Sequence, residues 1–224
     1  MIAKAIRLLS RIKWHDFRSV EPISRAFGTD RGTPVDRHYI DGFLESNRRH
    51  VKGRALEIAE SSYTKKYDSG VTTFEVLHFT ADNPAATIVG DLTNAKATLP
   101  ENRVDCFICT QTLNVIYDVR NAIKGIHQLL DAGGVALVTV PCISQISRYD
   151  ADRWGDYWRF TPQSAYNLFA EVFGKENVEV QAYGNCLAAI CFLKGLALEE
   201  MTKEELNHQD ADFPLIIGIK AIKK

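Results

Sequence analysis

The sequence predicts an α/β protein built on one seven-stranded, mostly parallel sheet with helices on both faces. Three observations carry that expectation. Seven short apolar runs of strand type recur along the 224 residues. Stretches with helical periodicity alternate with the later runs, and neither repeats nor linkers interrupt the series. The composition, 46% hydrophobic and 25% charged, is that of an ordinary globular chain with a sizeable core, which excludes wholesale disorder.

Residues 2–14 open the chain with Ile2, Ile6, Leu9 and Ile12 near helical spacing among Lys4, Arg7, Arg11 and Lys13. This reads as a basic amphipathic helix. It can lie on an anionic membrane surface; the plainer reading is a docking helix on its own domain or on a partner subunit. Residues 1–29 are read as an extension and 30–224 as the domain proper. Thr33, Pro34 and Asp36 are expected to cap and open a helix striped by Tyr39, Ile40, Phe43 and Leu44 and ended by Gly53.

Strands are expected at Ala55–Ala59, Phe74–His78, Ala86–Val89 and Val104–Cys109, with no long helix visible in Tyr63–Gly70. A helix over 118–131 follows, stopped by Gly133-Gly134, and then a buried strand at Val135–Val140. Thr161-Pro162 caps a helix through Phe173, and Val178–Ala182 is the sixth strand. Leu187–Leu198 is an apolar helix too short to span a bilayer. Thr202 and Glu205 cap a last helical turn, and Leu215–Ile222 is the seventh strand.

Charge and motif content narrow the function. Lys and Arg number 27 against 28 Asp and Glu, so no global field attracts nucleic acid. The five cysteines are odd in number and form no CxxC pair, which fits a reduced, cytoplasmic setting. No metal-ligand spacing, HExxH, GxSxG, P-loop or GxGxxG after a strand is present, so metal, hydrolase, NTPase and dinucleotide readings lack support.

Four segments, in order, resemble class I S-adenosylmethionine-dependent methyltransferases, which share a Rossmann-like sheet. They are Ala55-Leu56-Glu57-Ile58; Gly90-Asp91-Leu92 with Leu99-Pro100-Glu101-Asn102 and Val104-Asp105; Gln111-Thr112-Leu113-Asn114-Val115; and Ile126–Gly134. Asp30–Asp36 and Ser147–Thr161 resemble, more narrowly, small methyltransferases encoded beside glycan-assembly enzymes. The resemblance implies S-adenosylmethionine as cofactor and S-adenosylhomocysteine as product. It assigns Glu57 to the cofactor's ammonium and Asp91, with the Leu92 backbone, to the adenine. His78 falls nearest the ribose, and Ala59, Glu60, Ser61, Thr110 and Gln111 complete the expected cofactor contacts.

The family's glycine-rich turn after the first strand is replaced by Glu57-Ile58-Ala59-Glu60-Ser61-Ser62-Tyr63. Glycine there permits positive φ and close backbone approach. Ala59 adds only a methyl, whereas Ser61 and Tyr63 are bulkier. Glu60 brings a second carboxylate, which suits the sulfonium and ammonium charges and disfavours phosphates.

The segment 147–161 is the densest mixture of aromatic and charged residues in the chain. Tyr149, Trp154, Tyr157 and Trp158 offer stacking faces, and Arg148, Arg153 and Arg159 offer hydrogen-bonding forks for a sugar ring or phosphate of a small-molecule or glycan acceptor. Read as plain structure, the same arginines and aspartates pair with one another and the tryptophans fill the core. Methyl transfer to a hydroxyl needs positioning and a base, for which Asp150, Asp156 and His38 stand as candidates. A methyltransferase fold kept as a non-catalytic scaffold in a glycan-assembly complex is the alternative, motivated by the missing glycines.

Overall fold

A computed structural model describes residues 17–224; the amphipathic stretch expected over residues 2–14 lies outside the described residues. In chain order the elements are α1 (Asp36–Ser46), β1 (Gly53–Ile58), α2 (Ser62–Lys66), β2 (Val71–His78), β3 (Ile88–Val89), α3 (Ala95–Thr98) and β4 (Val104–Thr110). There follow α4 (Val119–Leu129), β5 (Leu130–Pro141), α5 (Arg148–Ala151), α6 (Pro162–Phe173), β6 (Val178–Tyr183), α7 (Cys186–Lys194), α8 (Lys203–Asn207) and β7 (Ile216–Ile222).

The strands form one seven-stranded sheet in the order β3-β2-β1-β4-β5-β7-β6. Strands β1 to β5 pair in parallel. Strand β7 runs the other way. The Gly133 N–H donates to the Lys223 carbonyl at 2.7 Å and the Cys142 N–H to Leu215 at 2.9 Å, so the start of β5 meets the end of β7. On the other side, Leu215 donates to Tyr183 at 2.8 Å, and the Lys220 ammonium pairs with Glu179 at 2.7 Å. The strand order turns back between β1 and β4, which makes their carboxyl ends the point where a ligand binds in such sheets. The predicted α/β sheet is the observed one.

The chain divides into two compact units. The larger comprises residues 42–141, 146–181 and 217–224 and holds nearly all of the sheet. Its core is the apolar runs read from the sequence: Ala55, Leu56, Phe107, Ile108, Leu137, Val138 and Ile219 are fully buried, with Ile123, Ile126 and Leu129 of α4. The other unit, described over 17–41, 142–145 and 182–216, is helical. There the buried Tyr39 hydroxyl donates to the Leu206 carbonyl at 3.0 Å, and Arg31 pairs with the equally buried Glu200.

Several local expectations are corrected. Thr33 is not a helix cap: its N–H and hydroxyl both donate to the Glu199 carboxylate, at 2.9 and 2.8 Å, and Pro34 makes a bridge to Ala197. Helix α1 starts instead at Asp36, whose carboxyl is pushed upward by burial. It ends at Ser46, a 3₁₀ turn (Arg48–His50) intervenes, and Gly53 opens β1. Gly133-Gly134 does not stop α4 ahead of a later strand. Strand β5 already begins at Leu130, and the glycines sit in an irregularity where the β4 register moves from Val104↔Leu130 to Cys106↔Val135. Helix α7 ends early, at Lys194, on a left-handed Gly195.

Candidate active site at the strand ends

Register places the candidate cofactor residues together. Ile58 pairs with Leu77, and Glu57 with Ile108. The turn beginning at Ala59 therefore emerges between His78 at the end of β2 and Thr110 at the end of β4. His78 in turn pairs with Val89, and Asp91 follows two residues later.

Ala59 carries the backbone conformation of the absent glycine, with φ at +65°. The Glu60 N–H donates back to the Ile58 carbonyl at 2.8 Å, which closes a γ-turn around Ala59. Two bonds hold this strained residue: its own N–H donates to Leu77 at 2.9 Å, and the Asn83 amide donates to its carbonyl at 2.7 Å. An alanine at positive φ stores strain of about 1 kcal/mol or more. Ala59→Gly is therefore expected to raise the melting temperature by roughly 1–3 °C, net of the extra freedom glycine gives the unfolded chain. A thermal melt reads this, and a lower melting temperature would refute the strained turn.

The Tyr63 ring does not fill the turn. Tyr63 stacks on Tyr67 along α2, ring centroids 6.4 Å apart. Glu57 is buried and turned toward that helix. Its carboxylate accepts from the Thr64 N–H at 2.8 Å, the Thr64 hydroxyl at 2.9 Å and the Tyr63 N–H at 3.2 Å. Burial raises its pKa, against the lowering effect of those bonds. Glu60 is exposed, and its carboxylate accepts no hydrogen bond among the described residues.

Asp91 caps a 3₁₀ turn: one carboxylate oxygen accepts from the Thr93 N–H and hydroxyl, both at 2.8 Å. The His78 Nδ1 lies 3.0 Å from the Thr80 carbonyl and 3.4 Å from the Asp82 carboxylate. Gln111 also has a positive φ, +48°, and its N–H donates to Thr139 at 2.8 Å.

The acceptor-side segment lies against the same region. Trp154 stands edge-on to His78 and Phe79, with centroids 6.4 and 6.3 Å away. The N–H groups of Tyr157 and Trp158 donate to the Asn114 carbonyl at 2.8 and 3.1 Å, and the Trp158 indole donates to Ile116 at 3.1 Å. Tyr117 packs on both rings, at 5.3 and 6.1 Å, and with Tyr157 and Trp158 forms an exposed aromatic surface. The Arg153 guanidinium lies 3.8 Å over the Tyr149 ring. Arg148 and Tyr149 are exposed.

The candidate bases separate. Asp156 is clamped: Arg159 donates both terminal nitrogens to it, at 2.6 and 2.9 Å, and the Ser147 N–H adds a bond at 3.0 Å. Burial pushes its carboxyl up, but these donors and the Asn114 amide outweigh it and hold the pKa below the usual range. A carboxylate so engaged fixes the segment and is poorly placed to take a proton. Asp150 is half-buried, and its carboxylate makes no hydrogen bond or ion pair among the described residues. His38 belongs to the helical unit, where it pairs with Asn207 at 3.2 Å.

Sequence reading gave no role to Asn83, Asn114 or Tyr117. Asn114 was detectable as the one amide inside the apolar run Leu113–Ile116. A polar cleft of about 640 Å³ along α4, lined by Lys96, Glu101, Lys124, His127 and Lys223 among others, meets none of the candidate residues. No group of His, Cys, Asp and Glu among the described residues is arranged to hold a metal ion.

Residues 71–138 match the family described as methyltransferase domain. No curated protein matches the chain in sequence. Among solved structures it is similar to an S-adenosylmethionine-dependent methyltransferase from Archaeoglobus fulgidus, with a TM-score of 0.54 and 13% identity over 84% of this chain and 94% of that one. A second, from Mesorhizobium loti, has a TM-score of 0.51 and 16% identity over 82% of this chain and all of the other. A third is phosphoethanolamine N-methyltransferase 2 of Haemonchus contortus, solved with S-adenosylmethionine. It aligns at TM-score 0.51 and 13% identity over 82% of this chain and 52% of its own length. The chain thus has the class I fold of S-adenosylmethionine-dependent methyltransferases, and its strands β2 to β4, with β5 as far as Val138, lie in a stretch that matches the methyltransferase domain.

Proposed function

We propose that this protein transfers the methyl group of S-adenosylmethionine to a hydroxyl of a sugar, a glycan or a similar polar acceptor. The observation that carries the methyl transfer is the methyltransferase-domain match over residues 71–138, which contains His78, Asp91, Leu92, Thr110 and Gln111; the choice of acceptor rests on the aromatic and arginine side chains of 147–161. The strand-end residues fit the cofactor: the Ala59 turn keeps the glycine-like backbone, and Tyr63 is stacked away on Tyr67. Bound there, S-adenosylmethionine supplies an electrophilic methyl on a sulfonium.

The chain's own residues then divide the work. Glu60 offers an exposed carboxylate to the positive charges, Asp91 and the Leu92 backbone read the adenine, and His78 meets the ribose. On the acceptor side, Tyr117, Tyr157 and Trp158 present ring faces suited to the apolar side of a sugar. Arg148, with Arg153 over Tyr149, offers donors to hydroxyls or a phosphate, such as that of a lipid-linked glycan. Asp150 is the preferred base, because Asp156 and Arg159 are bound to each other. Bringing the two reactants together in line supplies most of the rate.

One observation favours the non-catalytic alternative: Glu57, which the resemblance gives to the cofactor's ammonium, is engaged by Thr64 and Tyr63. Calorimetry separates the two readings. S-adenosylmethionine is expected to bind in the micromolar range, and Asp91→Ala to weaken it by more than about tenfold. No heat of binding at millimolar cofactor would sink the enzyme reading and leave the scaffold.

A further inference from the structure

The polar cleft along α4 takes no part in the proposed methyl transfer. All of its walls belong to the larger unit: α3 and the turn before it, the loop at Glu101 and Asn102, one face of α4, and Lys223 just after β7. Its volume of about 640 Å³ is that of a site for a small organic molecule, and far more than a single ion needs. The walls are fastened to one another. Gln128 of α4 donates to the carbonyls of Ala95 and Leu99, both at 3.0 Å, and so ties α3 to that helix.

The charge of the cleft is one-sided. Lys96, Lys124 and Lys223 line it, and none of the three makes an ion pair among the described residues. Lys124 donates to a neutral group, Asn121, at 3.1 Å. Lys223 donates to the Asn102 side chain at 2.8 Å and the Leu130 carbonyl at 2.7 Å, which fixes its ammonium and leaves it one more donor. Burial lowers the Lys223 pKa against the opposite pull of Asp131 and Glu101, and a cation so placed gains from an anion beside it. Burial and Lys223 also lower the pKa of His127, which therefore lines the cleft as a neutral ring at pH 7. Glu101 is the one carboxylate among the described lining residues. Elsewhere in the same unit cations are matched: Arg103 by Glu75, Arg159 by Asp156 and Lys220 by Glu179.

We propose that this cleft binds a small phosphorylated molecule, its phosphate held by Lys96, Lys124 and Lys223. Three ammonium groups on the walls of one concavity raise the local concentration of anions, and lysine meets phosphate as a point charge. A phosphate carries close to two negative charges at pH 7, which matches three lysines offset by Glu101 better than a single carboxylate does. The lining is polar throughout its loops, so the body attached to the phosphate is polar as well.

The test is calorimetry of the full chain in metal-free buffer of low salt, with pyrophosphate and with glycerol 3-phosphate, and with glycerol as the uncharged control. Both phosphates are expected to bind and glycerol not, with affinity falling as salt rises. Lys96→Ala/Lys124→Ala is expected to weaken pyrophosphate binding by at least about tenfold with an unchanged melting curve, since both side chains are exposed. Glu101→Gln is expected to act in the opposite direction and tighten it by about two- to threefold. No heat with millimolar pyrophosphate, or the same affinity in the lysine variant as in wild type, overturns the proposal. So does a loss of binding found in Arg148→Ala/Arg153→Ala and not in the lysine variant, since the phosphate then belongs to the acceptor segment.

Discussion

Asp156→Ala is expected to lower stability by about 3–5 kcal/mol, because it breaks a buried ion pair and leaves its partners behind. The Asp156 side chain is 2% exposed and receives both Arg159 nitrogens. Removing it leaves the guanidinium without its carboxylate, although it keeps the Trp158 carbonyl at 2.9 Å, leaves the Ser147 N–H unbonded, and takes away the anchor that the Asn114 amide holds. The melting temperature should fall by roughly 10 °C, and the 147–161 segment should become the first site cut in limited proteolysis. The pH dependence follows from the sign of the shift. A carboxyl held below its unfolded value contributes stability above about pH 4, and that stability is lost as pH falls through the folded value. The difference between wild type and variant should therefore close in acid. An unchanged melting temperature at neutral pH would show that the clamp does not hold the segment.

Gly125→Ala is expected to cost about 2–3 kcal/mol even though alanine is the better helix former. Gly125 lies in α4 where it crosses the 3₁₀ turn Leu92–Asn94. A methyl at this position overlaps the Leu92 carbonyl oxygen and lies 3.0 Å from its carbon, so helix and turn must part. Backbone atoms cannot swing aside as a side chain can. Leu92 and its neighbour Asp91 should shift together, so, if they read the adenine as proposed, cofactor affinity should fall along with stability. Gly42→Ala in α1 is the control: its methyl meets nothing within 4 Å, and it should gain about 0.5–1 kcal/mol. If both variants melt alike, the close approach at Leu92 is not what fixes residue 125.

The fold was legible because buried parallel strands write themselves as apolar runs: β4, β6 and β7 lie within a residue or two of where periodicity put them. What failed depended on distant partners. Thr33 has the residue type, spacing and following proline of a cap, yet Glu199, far along the chain, takes its donors. Gly133-Gly134 has the composition of a helix stop, but the sheet absorbs it as a register shift.

At the site, residue types were readable and their pairings were not. Three arginines and three aspartates in 147–161 allow several ion pairs, and only the folded chain shows Arg159 closing on Asp156. The turn at Ala59 hid its conformation because no glycine advertised the positive φ. The Asn83 amide that braces it comes from the loop after a different strand.

Trp154 leads to a kinetic consequence. Its ring rests edge-on against His78 and Phe79, although it belongs to the segment that ends in the Arg159 clamp. Whatever approaches the end of β2 must work against this indole, and whatever moves the indole alters the room at the end of β2. If the cofactor and the acceptor bind as proposed, they are therefore not independent at this strand end. Under the proposed function, the first to arrive would set the clearance for the second, and turnover would acquire an order of addition.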